Sequence, residues 1–131
     1  MIVDTSALIA ILFGEPEAAA LINAIIAAPV RLVAAPTLVE ASAVLFARKG
    51  PSGDVALDAL LQRLSIVTVV MNADAAASAR SAFRRFGKGV GKPGVLNYGD
   101  CLSYGVAMTS GYPLLFKGNG FSQTDVAVAA Y

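Results

Sequence analysis

The stretch MIVDTSALIAILF, residues 1–13, changes character at a single point, and that point sets the reading of the whole chain. Ile2 and Val3 are β-branched and favour extended backbone, whereas Thr5 to Phe13 is apolar and helix-compatible. Met1–Asp4 therefore reads as a first strand that ends on an acid and runs straight into a helix. Moving outward, the same alternation recurs. Pro16 to Ala28 predicts a helix with Pro16 in its first turn, and Arg31–Ala34 a short strand. Pro36 opens a helix that stops at Gly50–Pro51. Asp54 to Leu64 predicts another, with Leu57, Leu60, Leu61 and Leu64 on one side. Ile66–Met71 is a nearly continuous β-branched run, the pattern of a strand buried on both faces. A helix over Ala73–Phe86 is ended by Gly87, and Gly87 to Gly94 is a Gly/Lys-rich loop. Asn97 to Thr109 predicts a helix, Pro113–Phe116 a last core strand, and Val126–Val128 an edge strand. Strands alternating with helices require crossovers, hence an α/β fold with a mainly parallel sheet and helices on both sides.

A chain of 131 residues suits one domain, 1–131, which can bury roughly two-thirds of its unfolded surface without disulfides. Charged residues are only 15% of it, so each charge needs a reason. Its longest uncharged stretch, Cys101 to Phe116, is too short and too polar to span a membrane. No basic region precedes the first apolar run, and the single cysteine cannot form an internal disulfide, so a cytosolic protein is expected. Histidine is absent, which excludes Ser-His-Asp and Cys-His nucleophile systems and His-ligated zinc. Chemistry would have to come from carboxylates, hydroxyls, lysines or a bound ion.

Three carboxylates stand out. Asp4 ends the first strand, where open parallel sheets bind ligands, although an aspartate there also caps a helix. Glu40 shares its helix face with Pro36, Thr37, Ala43, Val44 and Ala47, a small apolar surface with no Lys or Arg three or four residues away. A carboxylate facing packing needs a partner, either a cation or a distant arginine. Asp100 follows Asn97 by three residues, a capping-box spacing at the start of its helix. If two ionised carboxylates approach to ~5 Å, each pair repels by about 3 kcal/mol at an effective dielectric near 20. Three such groups call for a cation, and hard oxygen donors favour magnesium or manganese over zinc. The hydroxyls of Thr5 and Ser6 can bond a ligand carboxylate or cap the helix. Cys101, beside Asp100, reads as structural.

These pieces resemble the PIN-domain ribonucleases, specifically the VapC-type toxins of bacterial toxin–antitoxin pairs. The matching segments are Ile2-Val3-Asp4-Thr5-Ser6-Ala7-Leu8, Glu40 in the third helix, Asn97-Tyr98-Gly99-Asp100-Cys101-Leu102-Ser103-Tyr104, and Pro113-Leu114-Leu115-Phe116-Lys117-Gly118. They run in the family's order nearly end to end, and the Asn-Tyr-Gly-Asp-Cys segment is the most specific. The resemblance implies a three-layer α/β/α domain with a four- or five-stranded parallel sheet and an acidic pocket at its carboxyl edge. It also implies magnesium- or manganese-dependent RNA cutting, a cognate antitoxin protein and a homodimer. Asp4, Glu40 and Asp100 match three of the family's acidic positions, and Ser6 its pocket hydroxyl. Where the family places a fourth acid this chain has Gly120, with Asn119 beside it as a neutral oxygen donor. A catalytically impaired binding subunit is therefore the alternative reading.

Between Asp74 and Asp100 there is no acid, yet Arg80, Arg84, Arg85, Lys88 and Lys92 all fall there, a candidate grip on an RNA backbone. The Ala-rich helices Pro16–Ala28 and Ala73–Phe86 are candidate dimer or antitoxin surfaces, besides their ordinary place in the core. A phospho-accepting receiver or small phosphatase would share the first-strand Asp and Lys117. It needs a nucleophilic aspartate closing a central strand, where this chain has Asn72.

Overall fold

Strands only two or three residues long are enough to divide the core in two. A computed structural model describes residues 1–131. Its order is β1 (Ile2–Val3), α1 (Thr5–Leu12), α2 (Ala18–Ala27), β2 (Leu32–Ala34), α3 (Ala35–Lys49), α4 (Pro51–Arg63), β3 (Val67–Val69), α5 (Ala73–Phe86), α6 (Tyr98–Ser110) and β4 (Leu114–Leu115), with a final 3-10 turn at Phe121–Gln123. Successive strand residues point to opposite faces. Val3, Val33 and Leu115 accordingly pack with α1 to α4, while Ile2, Ala34 and Leu114 pack with α5 and α6. This is the three-layer α/β arrangement the sequence predicted.

The sheet is parallel throughout, in the order β3-β2-β1-β4, with Ile2 opposite both Leu32 and Leu114. The strand order reverses between β1 and β4. In such sheets the crevice beyond the carboxyl ends of the two strands at the reversal is the natural ligand site. Asp4 follows β1 there, and Phe116 and Lys117 follow β4.

Four expectations change. The run Ile66–Met71, expected to be buried on both faces, supplies the edge strand β3, with Val67 59% and Val70 82% exposed. β-Branching promotes extension equally at an edge and at the centre, so it could not tell them apart. Val126–Val128 forms no full strand. It adds a single bridge from Val128 to Leu114, supported by Leu114 N–H to the Ala127 carbonyl at 2.8 Å. The second helix begins at Ala18 rather than Pro16, because Glu15–Pro16–Glu17 is a turn whose two acids bind Lys117. The fourth begins at Pro51 rather than Asp54. Gly50, at φ 63°, lets the chain turn in the left-handed region straight from α3 into a helix opened by proline.

α5 and α6 lie backbone to backbone at Gly105, where a Cβ would strike the Ala75 carbonyl and reach Ala79 Cβ at 3.0 Å. No helix is long and apolar enough to cross a membrane.

Candidate active site

Asp4 is 2% exposed and anchors the site. Its backbone is extended at φ −82°, ψ 159°, and it caps α1: Oδ2 accepts from Ser6 N–H at 2.9 Å and from Ser6 Oγ at 2.7 Å. Oδ1 accepts from Ser103 Oγ at 2.6 Å, and Ser103 Oγ in turn lies 2.9 Å from Thr37 Oγ1. Capping does not compete with a site role here, since the cap and the buried carboxylate are one group.

Asp100 also plays the bland part in full. Asn97 Oδ1 accepts from Asp100 N–H at 2.8 Å, and Asp100 Oδ2 accepts from Asn97 N–H at 2.7 Å, a complete capping box. Its carboxyl is nevertheless pushed up to about 6. Burial is the main cause, the negative charges of Asp4 and Glu40 add to it, and the Asn97 N–H and Lys88 oppose it. The charges of both other acids therefore reach Asp100.

Glu40 is half-buried, and its partner is a hydroxyl rather than the distant arginine the sequence allowed: Thr5 Oγ1 donates to Oε2 at 2.7 Å. Its carboxylate lies against Gly99 so closely that any Cβ at position 99 would overlap it. Glycine there lets α6 approach α3, with Glu40 and Asp100 on either side of the contact.

None of the three acids has an ion-pair partner. The chain's salt bridges are Arg85–Asp125 at 2.7 Å and Lys117 with Glu15 and Glu17. Lys117 donates its backbone N–H to Ser6 Oγ at 3.0 Å while its ammonium is turned to the α1–α2 turn. A cleft of about 380 Å³ brings Ser6, Asp100, Lys88, Asn119 and Gly120 to one place.

The basic residues separate. Lys88 joins the cleft, while Arg80 and Arg84 line an apolar groove beside it. Lys92 is exposed on the loop. Arg85 does not belong with them. Its guanidinium is paired with Asp125, lies 3.4 Å from the Tyr104 hydroxyl and sits over the Phe86 ring, so it fastens the C-terminal segment to α5. Tyr104 donates to Asp125 Oδ1 at 2.5 Å, and burial with that bond pushes its hydroxyl up to about 12. Cys101 is buried, and its thiol is raised to about 11 by burial and by Asp100, which removes it as a nucleophile.

No three Asp, Glu or Cys side chains stand close enough together to form a ready-made metal cage. The donor set still fits a hard divalent cation. Asp100 lines the cleft with Lys88, and Glu40 opens onto a neighbouring hollow beside Gly99. None of the three acids is in a salt bridge, and Asp100 Oδ1 and Glu40 Oε1 accept no protein hydrogen bond. Ser103 and Thr37 are the residues sequence reasoning missed. Ser103 lies three residues after Asp100 and so on the same helix face, a signal that was present, whereas Thr37 becomes visible only once α3 meets α6.

A parallel sheet with a buried aspartate at its switch point, flanked by two further acids from separate helices, defines the class. The family model described as "PIN domain" matches residues 1–127, and the chain belongs to that family. A "Ribonuclease VapC" of Mycolicibacterium smegmatis is 49% identical over 127 residues, covering 97% of this chain and 98% of its own. "Ribonuclease VapC30" of Mycobacterium tuberculosis is 46% identical over 130 residues, covering 99% and 98%. These relatives put the chain with the VapC ribonucleases, as its motifs implied. The crystal structure of Mycobacterium tuberculosis VapC20, a "Sarcin-Ricin loop cleaving toxin", superimposes with a TM-score of 0.76 at 19% identity over 96% of this chain and 95% of that one. That likeness establishes the fold.

Proposed function

We propose that this chain is a magnesium- or manganese-dependent endoribonuclease, the toxin of a toxin–antitoxin pair, folded as one domain and acting in the cytoplasm under the control of a cognate antitoxin protein. A homodimer is the assembly its family resemblance implies. The observation that carries the catalytic reading is that Asp4, at the sheet's switch point, and Asp100 and Glu40, whose charges act on each other, all lack a salt-bridge partner. Asp4 and Asp100 would hold the cation, with Ser6 keeping Asp4 oriented and Ser103 bonding its other oxygen. When bound, the ion lowers the pKa of a water and neutralises charge developing on the phosphoryl oxygens.

The protein's own groups do the rest. Glu40, fixed through Oε2 by Thr5, keeps Oε1 free to orient the attacking water and take its proton. Lys88 on the cleft wall draws the scissile phosphate in, and Arg80, Arg84 and Lys92 hold the flanking backbone. Cleavage of a single-stranded RNA should occur with magnesium or manganese, stop with chelator and return when the ion is restored. Cutting that continues in chelator would refute the metal-dependent reading.

The Asp100 carboxyl carries a pH signature. Its folded value of about 6 lies above the ordinary 3.8, so folding favours the protonated form. That contribution to stability is complete below pH 4 and is lost as pH rises through 6. In chelator, the melting temperature of the wild type relative to Asp100→Asn should fall across this window and level off above it. A flat difference would count against the burial of this group beside like charges. Divalent affinity should weaken as pH drops below 6, because protons then compete for the same oxygen atoms.

Gly120 lies in ordinary helical backbone at φ −62°, ψ −52°, and an added Cβ would meet Val95 O at 3.4 Å and little else. Gly120→Asp should therefore fold normally and add a carboxylate to the cleft wall. Manganese affinity, measured by titration calorimetry, should rise about tenfold, which is ~1.4 kcal/mol. Unchanged affinity would show that position 120 does not face the ion.

A further inference from the structure

Across the first turn of α6 from the cleft that holds Asp100 lies a second, larger hollow, which the catalytic reading uses only for its two arginines. It has a volume of about 520 Å³ between α5 and α6, with an apolar floor that includes Met71, Phe83 and Leu102. Arg80 and Arg84 stand on its α5 wall, one helical turn apart, and neither takes part in a salt bridge. No acid lines it. Tyr98 closes it on the α6 side and is 74% exposed, the more exposed of the two tyrosines on this helix. A shallower hollow on the other side of Tyr98 leads past Gly99 and Leu102 to Glu40. A continuous surface thus runs from the guanidinium groups, over an aromatic ring, to a site carboxylate.

We infer that this groove receives a nucleobase of the RNA strand beside the cleaved phosphate, with Tyr98 as its stacking platform and Arg80 and Arg84 on the neighbouring backbone. The inference rests on the ribonuclease reading above and names where that substrate lies. An apolar slot with an exposed aromatic ring matches the flat face of a base. Unpaired guanidinium groups at its edge match phosphates, and the acid-free lining keeps the approach attractive to a polyanion. A base can enter only if it is unstacked, so the groove selects single-stranded or looped RNA over duplex. A protein surface would also cover Tyr98, but the two guanidinium groups outside any salt bridge and the acid-free lining favour a polyanion as the occupant. Tyr98 is a specificity residue in this account; it reaches the substrate rather than the reacting atoms.

The test is binding of a fluorescein-labelled single-stranded RNA to the full chain in chelator, where no cutting occurs, followed by anisotropy. Tyr98→Ala should weaken binding by about tenfold. Tyr98→Phe should bind as wild type, because the ring and not the hydroxyl does the stacking. Duplex RNA of the same sequence should bind wild type and Tyr98→Ala equally. Sedimentation of both variants should match wild type. Equal single-strand affinity in Tyr98→Ala would overturn the inference while metal-dependent cutting by wild type still upheld the ribonuclease reading. A Tyr98→Ala protein that loses RNA binding together with a change in oligomeric state would also overturn it, and would assign the groove to contact between two copies of the chain. Absence of any cutting by wild type would instead strike the underlying reading.

Discussion

Asp4→Asn is expected to lower metal-stimulated RNA cleavage by about 10³-fold or more while the protein remains folded. The substitution removes the charge that would grip the ion but can keep every local hydrogen bond. Oδ1 of the asparagine can take the place of the carboxylate oxygen that accepts from Ser6 N–H and Ser6 Oγ. Its amide nitrogen then faces Ser103, whose hydroxyl can turn to accept instead of donate. The α1 cap therefore survives, since asparagine is as good a cap as aspartate. Removing the buried Asp4 charge also relieves its repulsion of Asp100, so the melting temperature in chelator should stay level or rise. Circular dichroism melts and manganese titration separate these effects from unfolding. Full cleavage by a folded Asp4→Asn protein would sink the assignment of Asp4.

Gly105→Ala should destabilise the protein by about 3 kcal/mol, although alanine is the better helix former. Gly105 sits inside α6, where exchanging glycine for alanine would gain about 1 kcal/mol if the surface were free. It is not free. The new methyl group would overlap the Ala75 carbonyl and lie 3.0 Å from both N and Cβ of Ala79. A backbone carbonyl and an alanine have no rotamer by which to withdraw, so α5 and α6 must separate. The cost falls on the face of the core that holds Ala75, Ala79, Ala82, Tyr104 and Ala107. For a chain of this size the melting temperature should drop by about 10 °C. The displacement would reach the site, because α6 also carries Asp100 and Ser103. A variant that melts as wild type or later would show that the two helices have slack between them.

The fold was legible because its signals are local. The change from Ile2–Val3 to Thr5–Phe13, the helix over Ala73–Phe86 and the Asn97–Asp100 cap are each written in a few adjacent residues, and the structure has all three. The position of Ile66–Met71 at the edge of the sheet was not legible, because edge and centre differ in what lies alongside, not in backbone preference. In the sequence the basic segment reads as one patch because its members are close along the chain. Folding parts them: Lys88 faces the cleft, Arg80 and Arg84 the groove, and Arg85 is taken by Asp125, forty positions away. An ion pair over that separation leaves no trace in spacing.

The amino-acid sequence by itself determined the class of architecture, the exclusion of histidine chemistry and the short set of acids worth attention. Composition and the periodicity of apolar residues act through nearest neighbours along the chain, and they survive without coordinates. Tertiary structure alone decided who partners whom. It gave Glu40 the Thr5 hydroxyl, joined Thr37 and Ser103 to Asp4, turned the Lys117 ammonium toward Glu15 and Glu17, and set Tyr98 at the mouth of a groove. The physical reason is the crossover. Each parallel connection carries the chain over a face of the sheet before returning it, so the groups that meet at the carboxyl edge come from segments the sequence keeps far apart.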